Sequence, residues 1–270
     1  MDYMQNYGNH KMHKYINHKN LLFLYNTTYN FKKIIDLFNL ENNIIIFLTN
    51  LSFTFQYSQY ILSDKEQLRA KKFIRERDRI RFKVAHTLKR LICSSITGVF
   101  FDELVFNYNQ YNKPFLKNDP SISFNISHSG NWCGIAVSKN KTIGFDVQSP
   151  ILLEDFPIDQ VIHPEDYIQI QNQETGTQVW SIKEAVTKAY GVGLGYPFNK
   201  LKIEPYTNNN SYFIKILEKI WFVSSYPLSD SSVAAISSDS ISNIKIFYLP
   251  EEIFVNNLSI DYATCNNPSI

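Results

Sequence analysis

Cysteine is scarce and scattered: Cys93, Cys133 and Cys265 are the only three in 270 residues, and no two form a C-x-x-C pair. That spacing excludes a disulfide framework and a cysteine-based zinc site, so the three read as reduced thiols. Long apolar runs are missing too. The longest, Leu21–Tyr25 and Ile44–Leu48, fall far short of the roughly 20 residues that a membrane span needs. The N-terminal stretch has His and Lys but no extended apolar core with a cleavage site, so no secretory signal is read. Both absences lead us to expect a cytoplasmic protein that spans no membrane. Net charge is +2, too small for the chain as a whole to be a general nucleic-acid binder.

What is present reads as globular: 44% of the residues are apolar and 19% are charged. The length suits one large domain or two small ones. Charge is unevenly placed. Between Lys65 and Arg90 there are eleven Lys/Arg against three Asp/Glu, a local +8 that leaves the remainder near −6. One basic element on a mildly acidic protein points to a polyanion site on that element.

Periodicity supplies the elements. Residues 1–20 lack any; His10, His13 and His18 could ligate a metal, but a solvated tail is the better reading. Ile44–Leu48 reads as a buried strand. Ser63 and Glu66 form a capping-box pattern, and a long helix is expected to follow, with Phe73, Ile80, Val84, Leu88 and Leu91 on its apolar face and Gly98 at its end. Strand signals follow at Leu104–Tyr108, Ser121–Ile126, Cys133–Ser138 and Thr142–Val147. His163-Pro164-Glu165 looks like a helix start. Trp180–Tyr190 is a helix closed by Gly191. Strands are then expected at Leu201–Glu204, Tyr212–Ile216, Ile220–Ser224, Val233–Ser237 and Lys245–Tyr248. The order is a strand, a helix and several strands, then a helix and strands again, which predicts an α+β fold with antiparallel sheets and a long helix on each.

Five clusters could carry chemistry. On the second helix, Glu184 and Lys188 are four apart and share a face with Trp180, flanked by Lys183 and Ala185; alone, such a pair is usually a surface ion pair. In Gly144-Phe-Asp146-Val-Gln148, alternation puts Asp146 and Gln148 on one strand face, where a carboxylate suits a hard cation, though an ordinary two-faced strand reads the same way. In Phe124-Asn-Ile-Ser127-His128-Ser129-Gly130, a strand runs into a small polar turn able to hold a phosphate. A Ser127–His128 nucleophile pair is the competing reading; neighbours on a strand point apart, and no G-x-S-x-G elbow surrounds the serine. The basic helix offers Arg69, Lys72, Arg79, Arg81, Lys89 and Arg90, most of which read as a solvated face. In Tyr111-Asn-Lys113-Pro114, proline stiffens a loop that presents one lysine.

Taken together and in this order, Ser63–Arg90, Tyr111–Pro114, FNISHSG at 124–130, GFDVQ at 144–148 and WSIKEAVTKAYGVGL at 180–194 resemble the Sfp-type 4′-phosphopantetheinyl transferases. The resemblance covers residues 60–200 by motif. It implies two pseudo-twofold-related α/β halves, with coenzyme A in the cleft between them. We expect an N-terminal extension over 1–40, an N-terminal half over 41–139, a C-terminal half over 140–250 and a tail over 251–270. It implies Mg²⁺ on Asp146 and Glu184, Lys188 against the pyrophosphate, and Ser127, His128, Lys113 and Arg81 on the nucleotide phosphates, with Arg69 and Arg90 as further basic contacts. Many members carry an acid where this chain has Gln148, which leaves two carboxylates for the metal; Gln148 is carried as a third candidate ligand. The implied activity is that of a 4′-phosphopantetheinyl transferase of the holo-acyl-carrier-protein synthase type (EC 2.7.8.7). It acts on a serine of an acyl or peptidyl carrier protein as a monomer, with no nucleic-acid partner. A non-catalytic coenzyme A- or carrier-binding relative is the alternative.

Overall fold

The computed structural model describes residues 21–23, 36–39, 42–51, 61–207 and 210–249. The readings for the histidine-bearing stretch 1–20, for Cys265 and for the tail 251–270 lie outside the described residues. Among those described, no helix is long and apolar enough to cross a membrane. Cys93 and Cys133 are buried free thiols, each pushed up to about 12 by burial.

The basic region opens as expected. Ser63 caps helix α1 (Asp64–Lys71). Its backbone N–H donates to Glu66 Oε2 at 3.0 Å, and its Oγ accepts the Glu66 N–H at 3.4 Å. The helix is not continuous, however. It stops after Lys71, and α2 (Glu76–Thr97) starts only after an irregular turn. Phe73 leaves the helical register and packs on Phe82 at 5.3 Å. The break folds α1 back on α2, so that Glu66 meets cations some twenty residues downstream. Lys89 Nζ lies 2.6 Å from its Oε1, Arg90 Nε 2.5 Å from its Oε2 and His86 Nδ1 3.1 Å from its Oε1. A continuous helix would carry Glu66 away from all three. Gly98 closes α2 at φ 69°, as expected.

Two five-stranded sheets follow. The first has the order β1 (Leu21–Phe23), β12 (Asn243–Tyr248), β2 (Asn43–Asn50), β6 (Trp132–Lys139), β5 (Ile122–Ser129). The second runs β7 (Ile143–Gln148), β11 (Val233–Ser238), β10 (Lys219–Pro227), β9 (Ser211–Ile216), β8 (Glu204–Thr207). A short hairpin, β3 (Phe106–Tyr108) with β4 (Pro114–Leu116), stands apart. The α+β architecture matches the expectation. The second sheet is antiparallel throughout. The first is mixed, because β12 crosses over to pair in parallel with both β1 and β2, with Ile244 opposite Ile44. The expected strand at Leu201–Glu204 begins only at Glu204; Leu201 and Ile203 are instead buried against the second helix.

Packing makes four layers. Val84, Ala85, Leu88 and Ile92 of α2 pack on Ile45, Phe47, Ile135 and Val137 of the first sheet. The other face of that sheet, with Ile44, Ile46, Leu48 and Ala136, packs on Ile143, Phe145, Val147, Ala234 and Ile236 of the second. The far face of the second sheet, with Ile214, Trp221, Val223 and Ala235, takes helix α4 (Gln173–Tyr190) through Val179, Ile182, Ala185, Val186 and Ala189. The period-2 alternation of each strand thus feeds two different cores.

Helix α4 starts seven residues before the expected Trp180, where Asn172 and Thr175 form a capping box. It ends as expected at Gly191, at φ 99°. His163-Pro164-Glu165 does not start a helix. The single-turn helix α3 (Ile158–Val161) precedes it, and the segment is a turn in which Asp166 Oδ2 accepts the His163 N–H at 2.9 Å. The seat of α4 is set by Gly144 in β7. A Cβ there would lie 2.1 Å from Ala185 O and 2.1 Å from Ala189 N, both helix backbone. Strand and helix touch only because no side chain separates them.

Two predictions follow from this packing. Gly144→Ala forces β7 and α4 apart and is expected to cost more than the roughly 1–3 kcal/mol of ordinary overpacking, because backbone atoms cannot rotate away. Urea unfolding measures it, and a loss under 1 kcal/mol contradicts the close approach. Stability is also expected to fall with acid through the α1–α2 cluster. Burial depresses His86 to about 4, so between pH 6.5 and 4 the unfolded chain binds a proton that the folded chain refuses. Glu66 is likewise depressed: burial opposes its charge, but the contacts to His86, Lys89 and Arg90 outweigh it, so its contribution is lost in the same direction. His86→Phe should flatten the decline in melting temperature from pH 6.5 to 4, a decline of about 3 kcal/mol in stability at most.

Candidate active site

The seam between β7 and α4 brings Asp146, Glu184 and Lys188 together. Asp146 sits in the middle of β7 and is 1% exposed. Glu184 and Lys188 lie one turn apart on α4, 3.1 Å apart across the pair. Lys188 Nζ donates to Asp146 Oδ1 at 2.8 Å and to Ser127 Oγ at 3.0 Å. Ser127 Oγ–H donates to the same Asp146 oxygen at 2.8 Å. Trp180 Nε1–H holds the other side of Glu184 at 2.9 Å from Oε2. The Glu184–Lys188 pair is therefore no surface ion pair, but one edge of a five-residue network fed from both sheets.

Electrostatics sharpen the picture. Burial works against the Lys188 charge, but the Asp146 and Glu184 carboxylates outweigh it and hold the ammonium above its usual range. Burial and the neighbouring Asp146 charge push Glu184 up, against the pull of Lys188 and Trp180. Two carboxylates face one ammonium, so the network is one positive charge short. Asp146 Oδ2 is buried and has no hydrogen-bond partner among the described residues. A buried carboxylate oxygen without a hydrogen-bond donor, beside a second carboxylate, is a donor set that suits a hard cation. Asp146 and Glu184 fit such an ion. Among the described residues no cluster of three or more His, Cys, Asp or Glu suits a metal; the two carboxylates would need waters or ligand oxygens to complete the shell. Gln148 is on the same strand face, but its amide N–H is taken by Ser149 O at 3.1 Å, leaving only its Oε1 for any ion.

The other expected residues divide. His128 follows Ser127 on the strand and points the opposite way, with part of its side chain open to solvent at the strand end; desolvation of its ring, then the charges of Lys188 and Arg81, lower its pKa. Ser127 and His128 thus point apart, as the strand reading requires. Arg81 pairs with Asp78 at 3.0 Å. Lys113 is tied to main chain: its ammonium donates to Ile143 O at 2.9 Å and Ala189 O at 3.4 Å, and burial pushes it down to about 8. Arg69 lies apart from the carboxylates, over the Phe82 ring at 5.4 Å. It lines a cavity of about 670 Å³, shared with Glu66, His86, Tyr108 and Phe115, that includes none of Ser127, Asp146, Glu184 or Lys188. Arg90 is engaged internally, by Glu66 and by the Phe101 carbonyl.

Sequence reasoning placed Lys183 only as a flank of the Glu184–Lys188 face, and it missed the supporting roles of this and other residues. Lys183 is fully buried and donates to Asp166 Oδ2 at 2.6 Å and Val161 O at 2.7 Å; Asp166 also accepts the Ile203 N–H at 2.8 Å. Lys183 therefore anchors α4 from behind while Glu184, its neighbour, faces the site. Asn125 Oδ1 accepts the Phe145 N–H at 2.9 Å and ties β5 to β7 beside Ser127 and Asp146. Arg77 donates to Asn131 Oδ1 at 2.7 Å and sets a guanidinium beside the Ser127–Gly130 turn. The one available signal was Gly144, two residues before Asp146, where only hydrogen fits.

Comparison with known proteins agrees with this geometry. A family model described as "4'-phosphopantetheinyl transferase, N-terminal" matches residues 51–140, and one described as "4'-phosphopantetheinyl transferase superfamily" matches 142–237. The chain is 29% identical over 156 residues to 4'-phosphopantetheinyl transferase gsp of Aneurinibacillus migulanus, covering 56% of this chain and 65% of that protein. It is 26% identical over 150 residues to 4'-phosphopantetheinyl transferase Sfp of Bacillus subtilis strain 168, covering 53% and 66%. It is also 29% identical over 156 residues to a phosphopantetheinyl transferase of Thraustochytrium sp., covering 50% and 54%. The matches thus span less than two thirds of the length of these relatives. With both family models in tandem across the two sheets, and the carboxylate–lysine seam inside the second, the chain belongs to the 4'-phosphopantetheinyl transferase superfamily and to its Sfp type.

Proposed function

We propose that the protein transfers 4′-phosphopantetheine from coenzyme A to a serine hydroxyl of an acyl or peptidyl carrier protein, in a reaction of the holo-acyl-carrier-protein synthase type. The observation that carries this reading is the unpartnered, buried Asp146 Oδ2 beside a Glu184 pushed up by burial and by Asp146, with Lys188 protonated between them. The carrier serine oxygen attacks the β-phosphorus of coenzyme A. The bond from that phosphorus to the bridging oxygen breaks, and 3′,5′-ADP leaves. Glu184 accepts the serine proton, a role suited to a carboxylate raised by burial. Lys188, held protonated, sets a fixed positive charge against the charge that builds on the pyrophosphate. Ser127 fixes the Asp146 oxygen that Lys188 also uses, so both groups are oriented before substrate arrives. Mg²⁺, bound on Asp146 and Glu184, would supply charge neutralisation for the phosphate oxygens.

Around this centre, Arg81 and Arg77 provide the positive rim for the nucleotide phosphates, and His128, whose lowered pKa keeps its imidazole neutral, offers a ring N–H as a hydrogen-bond donor. Lys113 joins that rim only by giving up a carbonyl contact, so its part in phosphate binding is the weakest of the set. Arg69 belongs to the rim only if the nucleotide reaches the cavity beside Phe82. We further propose a monomer acting in the cytoplasm, with the cleft wall supplied by both sheets of one chain.

Asp146→Ala and Glu184→Ala are each expected to abolish transfer while circular dichroism stays unchanged, at a cost on the order of 2–4 kcal/mol in the barrier. Intact-mass analysis of an apo carrier with coenzyme A and Mg²⁺ reads the outcome, and near-normal phosphopantetheine addition by either variant overturns the assignment. No mass gain with the unaltered protein over a panel of carriers would favour the binding-only relative. Gln148→Glu restores a third acid on the strand face and should keep or raise activity while lowering the Mg²⁺ concentration at half-maximal rate. An unchanged Mg²⁺ titration shows that position 148 does not act on the ion.

A further inference from the structure

The catalytic helix is held at its C-terminal end by a loop from the other half of the molecule. The last carbonyls of any α-helix lack partners within the helix. In α4, Thr187 O is used by the Gly191 and Val192 N–H groups that close the turn. Beyond it, Ala189 O accepts from Lys113 and Gly191 O accepts from Asn109 Nδ2 at 3.1 Å. Both donors stand in the 109–113 connection of the β3–β4 hairpin. A cation at a helix C-terminus also interacts favourably with the helix dipole.

Asn109 is fully committed to this task. Its Oδ1 accepts the backbone N–H groups of Tyr111 and Lys113, each at 2.9 Å, and so folds the loop. Its backbone N–H donates to Lys113 O at 3.0 Å. With the oxygen engaged by two donors, the amide nitrogen can only face Gly191. Gly191 sits at φ 99°, and a Cβ there would lie 3.3 Å from that nitrogen, so the glycine serves both the αL cap and the contact. The same loop reaches β7: Lys113 spans Ile143 O and Ala189 O, three residues before Asp146 and one after Lys188.

We propose that Asn109 is a positioning residue: through Gly191 it fixes the last turn of α4, and with it the placement of Lys188 and Glu184 against Asp146. It touches none of the reacting groups. This inference rests on the transfer reaction proposed above for its kinetic consequence, but the contact itself does not. Helix ends fray first where lateral contacts are few, and Lys188 is in the last turn. A displacement on the order of 1 Å at a reacting group is enough to lower a rate about 100-fold.

Two variants separate the latch from the loop. Asn109→Asp keeps both acceptor contacts to Tyr111 and Lys113 but cannot donate to Gly191; Asn109→Ala loses all three. Both are expected to lower kcat about 10- to 100-fold, with KM for coenzyme A within about twofold and secondary structure retained. Hydrogen–deuterium exchange of the peptide covering 187–192 should quicken in both. Wild-type kcat in Asn109→Asp overturns the proposal, because it shows that only the loop fold matters. Unchanged exchange at 187–192 in both variants overturns it independently. Should the unaltered protein transfer nothing to any carrier, the functional reading fails, and the exchange result alone still decides whether Asn109 holds the helix.

Discussion

Lys188 reaches across from helix to strand, and the arrangement of the site follows from that reach. Its ammonium touches Asp146, Ser127 and Glu184, which come from β7, β5 and α4. A lysine held in this way costs desolvation that two carboxylates offset. The offset overshoots, and the surplus negative charge gathers where Asp146 Oδ2 has no partner among the described residues. The site is stable as a protein network and incomplete as a charge balance. That combination sets the proposed binding centre apart from a structural ion pair. Lys183, one residue before Glu184, shows the contrast: with Asp166 it forms a closed, fully buried pair in which both carboxylate oxygens and the ammonium have partners. One helix thus carries a satisfied pair on its back and an unsatisfied one on its front.

The reach of Lys188 depends on backbone geometry. Gly144 lets α4 rest directly on β7, and the sheet behind β7 packs on the other sheet through Ile44, Ile46, Phe145 and Ile236. Asn125 and Ser127 then cross from β5 to β7. The halves therefore share a core and the site is built from both. Strand β12 adds to this coupling, since it leaves the second half to pair beside β2 in the first sheet.

Much of this was legible in the sequence, for reasons of range. Ser63 with Glu66, Gly98 and Gly191 act within a few residues of themselves, and each helix end marked in that way is found. The order of most strands along the chain and the joint Asp146–Glu184–Lys188 signal were likewise readable; β1 and β4, each three residues long, were not read as strands. What was not readable depends on contacts between distant residues. The break after Lys71 exists because Glu66 must meet Lys89 and Arg90, and no local propensity records that demand. The early start of α4 was hidden because 173–179 is mostly polar and shows no apolar period, although Asn172 and Thr175 cap it. The parallel seat of β12 leaves no mark on the alternation of β12 itself.

Charge was the signal most open to misreading. The count of +8 between Lys65 and Arg90 pointed to a polyanion surface, yet Lys89 and Arg90 are spent on Glu66, and Arg81 shares its charge with Asp78. A residue's sign is visible in the sequence, but its availability is set by whether a partner already holds it. Lys113 makes the same point from the other side: a lone loop lysine that looks free for a phosphate is buried against two carbonyls, and burial lowers its pKa to about 8. The cations that matter to the proposed reacting centre are those whose partners are also part of it. By that criterion Lys188 stands first, because its partners, Asp146 and Glu184, are the groups that a cation and a substrate hydroxyl would use.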